Sequence, residues 1–153
     1  MKHYFLLILL FLSLYCLSAC DSGEKYQSKG KTEVFGDFKV TVNINEDSQG
    51  RTVLGEITYM GKKEEVRIYH RDSPIYFTVR MADGDYEYIE TAEGPYQSTV
   101  LKRNEPVSIN SGLPFLNNLE PAMYEFEAIA LISESTDEPM KELKVMRSAV
   151  VRD

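Results

Sequence analysis

The chain has 153 residues, with 24 acidic side chains against 17 basic ones and a formal net charge of −7 at pH 7. This acidic balance argues against nucleic acid as a partner, because binding to a phosphate backbone depends on Lys and Arg. The chain contains no tryptophan, which disfavours a sugar-binding clamp.

The N-terminal segment has the three parts of a secretory signal peptide, in order. Lys2 supplies positive charge, an apolar run extends from Tyr4 to Leu17, and two small residues, Ser18 and Ala19, follow. An uncleaved transmembrane helix is the alternative. The apolar stretch is shorter than the roughly 20 residues that span a bilayer, so the signal peptide is favoured.

The sequence Leu17-Ser18-Ala19-Cys20 resembles the lipobox of bacterial lipoproteins at all four positions. The resemblance implies that residues 1–19 are removed as a lipoprotein signal peptide. Cys20 then becomes an S-diacylglycerol cysteine, with or without a further acyl chain such as palmitate on its amine (N-acyl cysteine). Two or more acyl chains give stable anchoring, so we expect a lipid anchor on the extracytoplasmic face of the cell membrane.

The segment after the lipobox, residues 20–33, is polar and contains Ser and Gly without apolar periodicity. It predicts a flexible tether between the lipid and a domain at residues 34–153. Cys16 leaves with the signal peptide, so no disulfide is possible in the mature chain. One domain of this size can form a core by packing alone.

The domain is dominated by alternation of apolar and polar residues, which predicts β-strands. The expected strands cover residues 38–45, 52–59, 64–71, 75–81, 86–90, 97–101, 107–109, 124–132 and 143–151. The segment 107–109 is expected to be an edge strand, and a phase shift after Val145 predicts a β-bulge in the last strand. No segment has a helical stripe.

This pattern predicts an all-β fold, an antiparallel immunoglobulin-like β-sandwich of about seven to nine strands. An up-and-down barrel uses the same pattern and is the alternative. The irregular crossing from Glu105 to Pro121 favours the sandwich, because it suits a Greek key better than successive hairpins.

Two resemblances bear on the same fold. The segment Leu119-Glu120-Pro121-Ala122-Met123-Tyr124 is similar to the Leu-x-Pro-x-x-Tyr entry to a late strand in immunoglobulin-like domains. Residues 55–59, 68–70 and 73–77 resemble the paired strands of small immunoglobulin-like lipoproteins of Bacillus-type bacteria. Neither resemblance carries a catalytic motif.

Few residues after residue 19 are of types and in patterns that support catalysis. His70 is the one remaining histidine, and it lies in phase with Val66 and Ile68, so we expect a hydrogen-bonded imidazole at a strand end. A zinc site needs several His or Cys ligands, and no Gly-x-Ser-x-Gly elbow is present. We therefore expect no enzyme, no metal and no other cofactor, and an enzymatic alternative would rest on His70 alone.

Tyrosine is the one compositional excess, at ten residues. Tyr69 and Tyr76 fall on the solvent phase of consecutive predicted strands, together with Arg67 and Arg80. If those strands pair, the four side chains form a patch of a kind enriched at protein contacts. The leading expectation is a membrane-anchored lipoprotein that binds an envelope or secreted protein through this patch, or serves as a structural envelope module.

A calcium- or small-solute-binding lipoprotein is the alternative function. Its acidic loops would be Asp83-Gly84-Asp85 and the segment with Glu134, Asp137 and Glu138. Neither loop has the spacing of an EF-hand.

Overall fold

The computed structural model describes residues 30–152, and within them ten β-strands and one short 3₁₀ helix. The strands are β1 (Lys31–Phe35), β2 (Phe38–Asp47), β3 (Gly50–Tyr59), β4 (Glu65–His70), β5 (Ile75–Met81), β6 (Glu87–Ile89), β7 (Gln97–Lys102), β8 (Pro106–Asn110), β9 (Met123–Ile132) and β10 (Lys141–Val150), and the 3₁₀ helix is Pro114–Asn118. The predicted signal peptide, Cys20 and the predicted tether up to residue 29 lie outside the described residues.

The strands form two four-stranded sheets and a two-stranded ribbon. Sheet I has the order β1-β2-β3-β8, sheet II has the order β10-β9-β5-β6, and the ribbon pairs β4 with β7. Every strand pair is antiparallel. The predicted antiparallel β-sandwich is therefore confirmed, with one strand more than the expected upper number.

Six of the ten strands within residues 30–152 are adjacent in an order also found in immunoglobulin-like sandwiches. Strands β2, β3 and β8 take the places of A, B and E, while β5, β9 and β10 take those of C, F and G. The 3₁₀ helix lies in the crossover from β8 to β9, where the sequence predicted an irregular Greek-key connection. Single bridges, Tyr59 with Arg103 and Tyr69 with Ser133, link the ribbon region to both sheets.

The core is built from alternate residues of both sheets. On β2 the predicted inward residues Phe38, Val40, Val42 and Ile44 are all buried. From sheet II they meet Phe77, Val79, Phe126 and Ala128, which belong to the same buried cluster. Gly55 on β3 has no room for a side chain, since an added Cβ would lie 2.7 Å from Ile75 Cγ2.

The structure corrects the start of the domain. Lys31, Thr32 and Glu33, expected in the tether, belong to β1, which pairs with β2 in register from Lys31–Val42 to Phe35–Phe38. The sequence did not predict β1 because most of its residues are polar and its side chains are largely exposed. β1 is held by its pairing with β2, and the turn that joins the two strands contains Gly36, which has a φ of 61°.

The predicted bulge in the last strand is wrong. β10 pairs with β9 one residue to one residue, from Lys141–Ile132 to Val150–Met123. The apparent phase shift arises because Arg147 and Ala149 occupy the inward positions opposite Phe126 and Tyr124. A polar residue at an inward position of an edge strand mimics a change of phase.

No helix among residues 30–152 is long and apolar enough to cross a membrane.

Candidate interaction surface

The four residues predicted to form one patch are not brought together by strand pairing. β4 pairs with β7, and β5 pairs with β6 and β9, so the strands that carry Tyr69 and Tyr76 are not neighbours. Tyr76 is only 3% exposed. The expectation that Tyr76 faces solvent is wrong, since its side chain is buried and its hydroxyl contacts Asp72 and Ser73 of the β4–β5 connection.

Tyr76 instead ties down the connection between β4 and β5. Its hydroxyl donates a hydrogen bond to Asp72 Oδ1 at 2.7 Å and accepts one from the Ser73 amide at 3.3 Å. Burial, together with the bond to Asp72, raises the pKa of Tyr76 to about 12. The same hydroxyl holds the pKa of Asp72 below its usual value.

The other three residues of the predicted patch are at least partly accessible. Arg67 is exposed on the ribbon and donates from Nη1 to Ser98 Oγ at 3.1 Å. Tyr69 is half-buried, and its main chain exchanges two hydrogen bonds with Ser133. Arg80 lies on sheet II and donates from Nε to Glu87 at 2.6 Å.

His70 has the structural role expected for it. It is buried, and its two ring nitrogens lie 2.7 Å from the Arg71 carbonyl oxygen and 2.8 Å from Thr99 Oγ1. A carbonyl oxygen only accepts, so Nδ1 carries the proton in that contact and Nε2 faces the Thr99 hydroxyl. Both nitrogens are thus engaged, and the contact of Nε2 with Thr99 holds β4 to β7.

The two predicted acidic loops do not form a cluster of potential metal ligands within the described residues. Among residues 30–152 no group of three or more His, Cys, Asp or Glu side chains is placed to hold a metal ion. Asp83 and Asp85 are exposed in the turn between β5 and β6, and Glu134 pairs with Lys141 at 3.3 Å.

A shallow polar depression lies at one end of the sandwich, and sequence reasoning did not anticipate it. It encloses about 390 Å³ between the β2–β3 turn, the 3₁₀ helix and Arg152. Arg51 lies almost fully buried in its wall and donates to Glu46 at 2.6 Å and to the Leu116 carbonyl oxygen at 3.1 Å. These contacts clamp the turn onto the 3₁₀ helix.

The outer face of sheet II is the most distinctive surface of the described chain. It consists of the side chains at alternate positions of β5, β6, β9 and β10 that point away from the core. Four large apolar side chains on it are between 42% and 54% exposed: Ile89, Met123, Met146 and Val150. Half-buried Ile129 and Leu131 lie on the same face of β9.

The strand register arranges these residues in rows across the sheet. Met146, Glu127, Thr78 and Ile89 form one row, and Val150 lies directly opposite Met123. Thr78, in the middle of its row, is only 2% exposed, because neighbouring strands flank it on both sides. Arg80, from the predicted patch, lies on this face between Glu125 and Glu87.

The outer face of sheet I differs in chemistry. On the side away from the core its central strands present Lys39, Thr41, Asn43, Glu56 and Thr58, together with half-buried Leu54. Val34 is its one strongly exposed large apolar side chain within residues 30–152. The two sides of the sandwich are therefore unequal, and the apolar side chains concentrate on sheet II.

Comparison of the chain with protein-family models, with curated proteins and with solved structures found no match in any of the three.

Proposed function

We propose that this protein is a lipid-anchored extracytoplasmic module that binds another protein of the envelope, or a secreted one, through the outer face of sheet II. The observation that carries the binding part is the concentration of exposed Ile89, Met123, Met146 and Val150 on that one face. Several large apolar side chains exposed on one face favour an interaction site, whereas single ones dispersed over a surface need no explanation. The lipobox at residues 17–20 supports the anchoring part.

The dimensions of the face fit a protein–protein interface of modest area. Three strand spacings and the width of the side chains give about 20 Å, and ten residues of strand give about 33 Å. The resulting footprint of roughly 600 Å² per partner lies at the lower end of specific interfaces, where transient complexes are found. A tether suits such a module, because attachment to a membrane raises the effective concentration of weak partners.

Site-specific photo-cross-linking in cells tests the proposal. A photoreactive residue placed at Met146 or at Ile89 is expected to give protein adducts of defined mass. The matched control places the same residue at Val34, which is 61% exposed on the outer face of sheet I, and is expected to give none of these adducts. Adducts that are equally abundant from Val34, or no protein adducts from Met146 and Ile89, would contradict the proposal.

A further inference from the structure

The outer face of sheet II carries more acid than base. Its charged side chains are four acids and two bases: Glu87, Glu125, Glu127 and Glu142 against Arg80 and Lys144. Arg80 pairs with Glu87 at 2.6 Å and Lys144 with Glu142 at 3.1 Å. The bases are therefore engaged with the two outer acids.

The two remaining acids lie together in the middle of the face. Glu125 and Glu127 are successive outward residues of β9, both half-buried, and neither forms an ion pair within residues 30–152. Glu127 has Met146 on one side and Thr78 on the other. A carboxylate beside apolar neighbours gains more from an opposite charge than one fully in water, because the local dielectric constant is lower.

The charge of Glu125 and Glu127 favours one class of binding partner for this face over two others. A second copy would bring Glu125 and Glu127 against another acidic face, and like charges at an interface disfavour association. An anionic membrane surface is disfavoured for the same reason, since it attracts basic segments. A protein surface with Lys or Arg next to apolar side chains complements both the acids and the exposed Met146 and Ile89.

We propose that the partner presents a basic and apolar surface, whose Lys or Arg side chains meet Glu125 and Glu127 while its apolar side chains cover Met146 and Ile89. The inference rests on the proposed function and adds the chemistry of the partner to it. Complementary charge of this kind sets specificity and association rate more than total affinity. The interaction is accordingly weakened by salt.

Binding of two short peptides to the full-length chain in neutral detergent tests the inference. The probes are a fluorescent peptide of alternating Lys and Val and its counterpart with Glu in place of Lys, and the readout is fluorescence anisotropy. We expect the Lys peptide to bind and Glu127→Gln to weaken it about fivefold, the upper range for one partly exposed ion pair.

Glu56→Gln is the matched control, because Glu56 is a half-buried outward residue of the central strand β3 on the opposite sheet. It removes the same charge, and its amide can still accept from Ser108 Oγ, which lies 3.2 Å from the Glu56 carboxylate. We expect it to change the binding of the Lys peptide less than twofold.

The inference would be overturned if the Glu peptide bound as well as the Lys peptide, or if Glu56→Gln weakened binding as much as Glu127→Gln. These results leave the cross-linking experiment unaffected, so failure of the charge inference is distinguishable from failure of the proposed function. Cross-linking from Met146 solely to another copy of this chain would also overturn it.

Discussion

The Tyr76 hydroxyl shows how one buried polar group orders a turn. Its bond to Asp72 bridges the bend between β4 and β5, and it is made at a site only 3% exposed. We expect Tyr76→Phe to lower the free energy of unfolding by about 1 kcal/mol, the usual net contribution of one hydrogen bond. Urea denaturation at pH 7 measures this difference, and an unchanged midpoint would contradict it.

Alkaline pH tests the same hydrogen bond, because it ionises the Tyr76 hydroxyl that donates it. The folded pKa of Tyr76, about 12, is higher than the value of about 10 for an unfolded tyrosine. The contribution of the neutral hydroxyl is therefore complete below about pH 10 and is lost as the pH rises towards 12. We expect the difference in stability between the wild-type protein and Tyr76→Phe to shrink over that interval, as followed by denaturation at stepwise increasing pH.

Glu90 is a carboxylate used as a main-chain acceptor. Its Oε2 accepts a hydrogen bond from the Phe77 amide at 3.0 Å, and burial raises the pKa of its carboxyl group. Because the folded pKa is raised, the protonated Glu90 carboxyl group is the form that the fold favours. Its contribution to stability is complete below the unfolded pKa and is lost as the pH rises through the folded pKa. The ionised form at pH 7 therefore carries a penalty.

Substitution of Glu90 separates its charge from its hydrogen bond. Glu90→Gln keeps an acceptor for the Phe77 amide, and we expect it to be at least as stable as wild type at pH 7, with the advantage lost under acid conditions. Glu90→Ala leaves that amide without its acceptor and is expected to be about 1–2 kcal/mol less stable. Thermal unfolding at pH 7 and pH 3 gives both comparisons, and equal behaviour of the two variants would refute the acceptor role.

At the scale of the elements, Gly55 marks a close approach of the two sheets. An added Cβ would lie 2.7 Å from Ile75 Cγ2 and 3.1 Å from Phe77 Cζ, so we expect Gly55→Ala to cost about 1–3 kcal/mol through overpacking. Gly36→Asn is the control, because Gly36 has nothing within 4 Å and asparagine tolerates positive φ. Chemical denaturation that showed equal losses for the two variants would argue against overpacking.

The pattern of alternation predicted most elements, since a sheet with one buried face fixes which residues alternate. The alternate apolar residues from Phe38 to Ile44 on β2 and from Tyr124 to Ile132 on β9 are all buried, as predicted. It does not specify which strand lies beside which. Tyr76 alternates as a solvent-facing residue should, yet it is buried, and its hydroxyl is bonded to Asp72 in the β4–β5 connection.

The candidate surface was only partly predictable for the same reason. Arg80 was predicted at a contact surface and lies on the outer face of sheet II. Ile89, Met123, Met146 and Val150 belong to three different strands, and their assembly on one face depends on long-range register. In the sequence these residues are apolar side chains at outward strand positions. They can be assigned to one face only when the strand pairing is known.

For the whole molecule, Cys20 carries the prediction about attachment to the membrane. We expect Cys20→Ser to abolish incorporation of labelled palmitate and to shift the protein out of the membrane fraction, because a hydroxyl does not replace the thiol that forms the thioether. Cys16→Ser is the matched control and is expected to keep the label. Loss of label from both variants, or from neither, would count against lipidation at Cys20.

The hairpin of β1 and β2 has a mechanical consequence. A load on the chain ahead of Lys31 acts first on the Lys31–Val42 pair, the open end of the hairpin whose closed end is the turn at Gly36. A load directed across the strands would separate these pairs one after another rather than shear them together. Release of its five residues would add about 17 Å of extended chain between that load and the core.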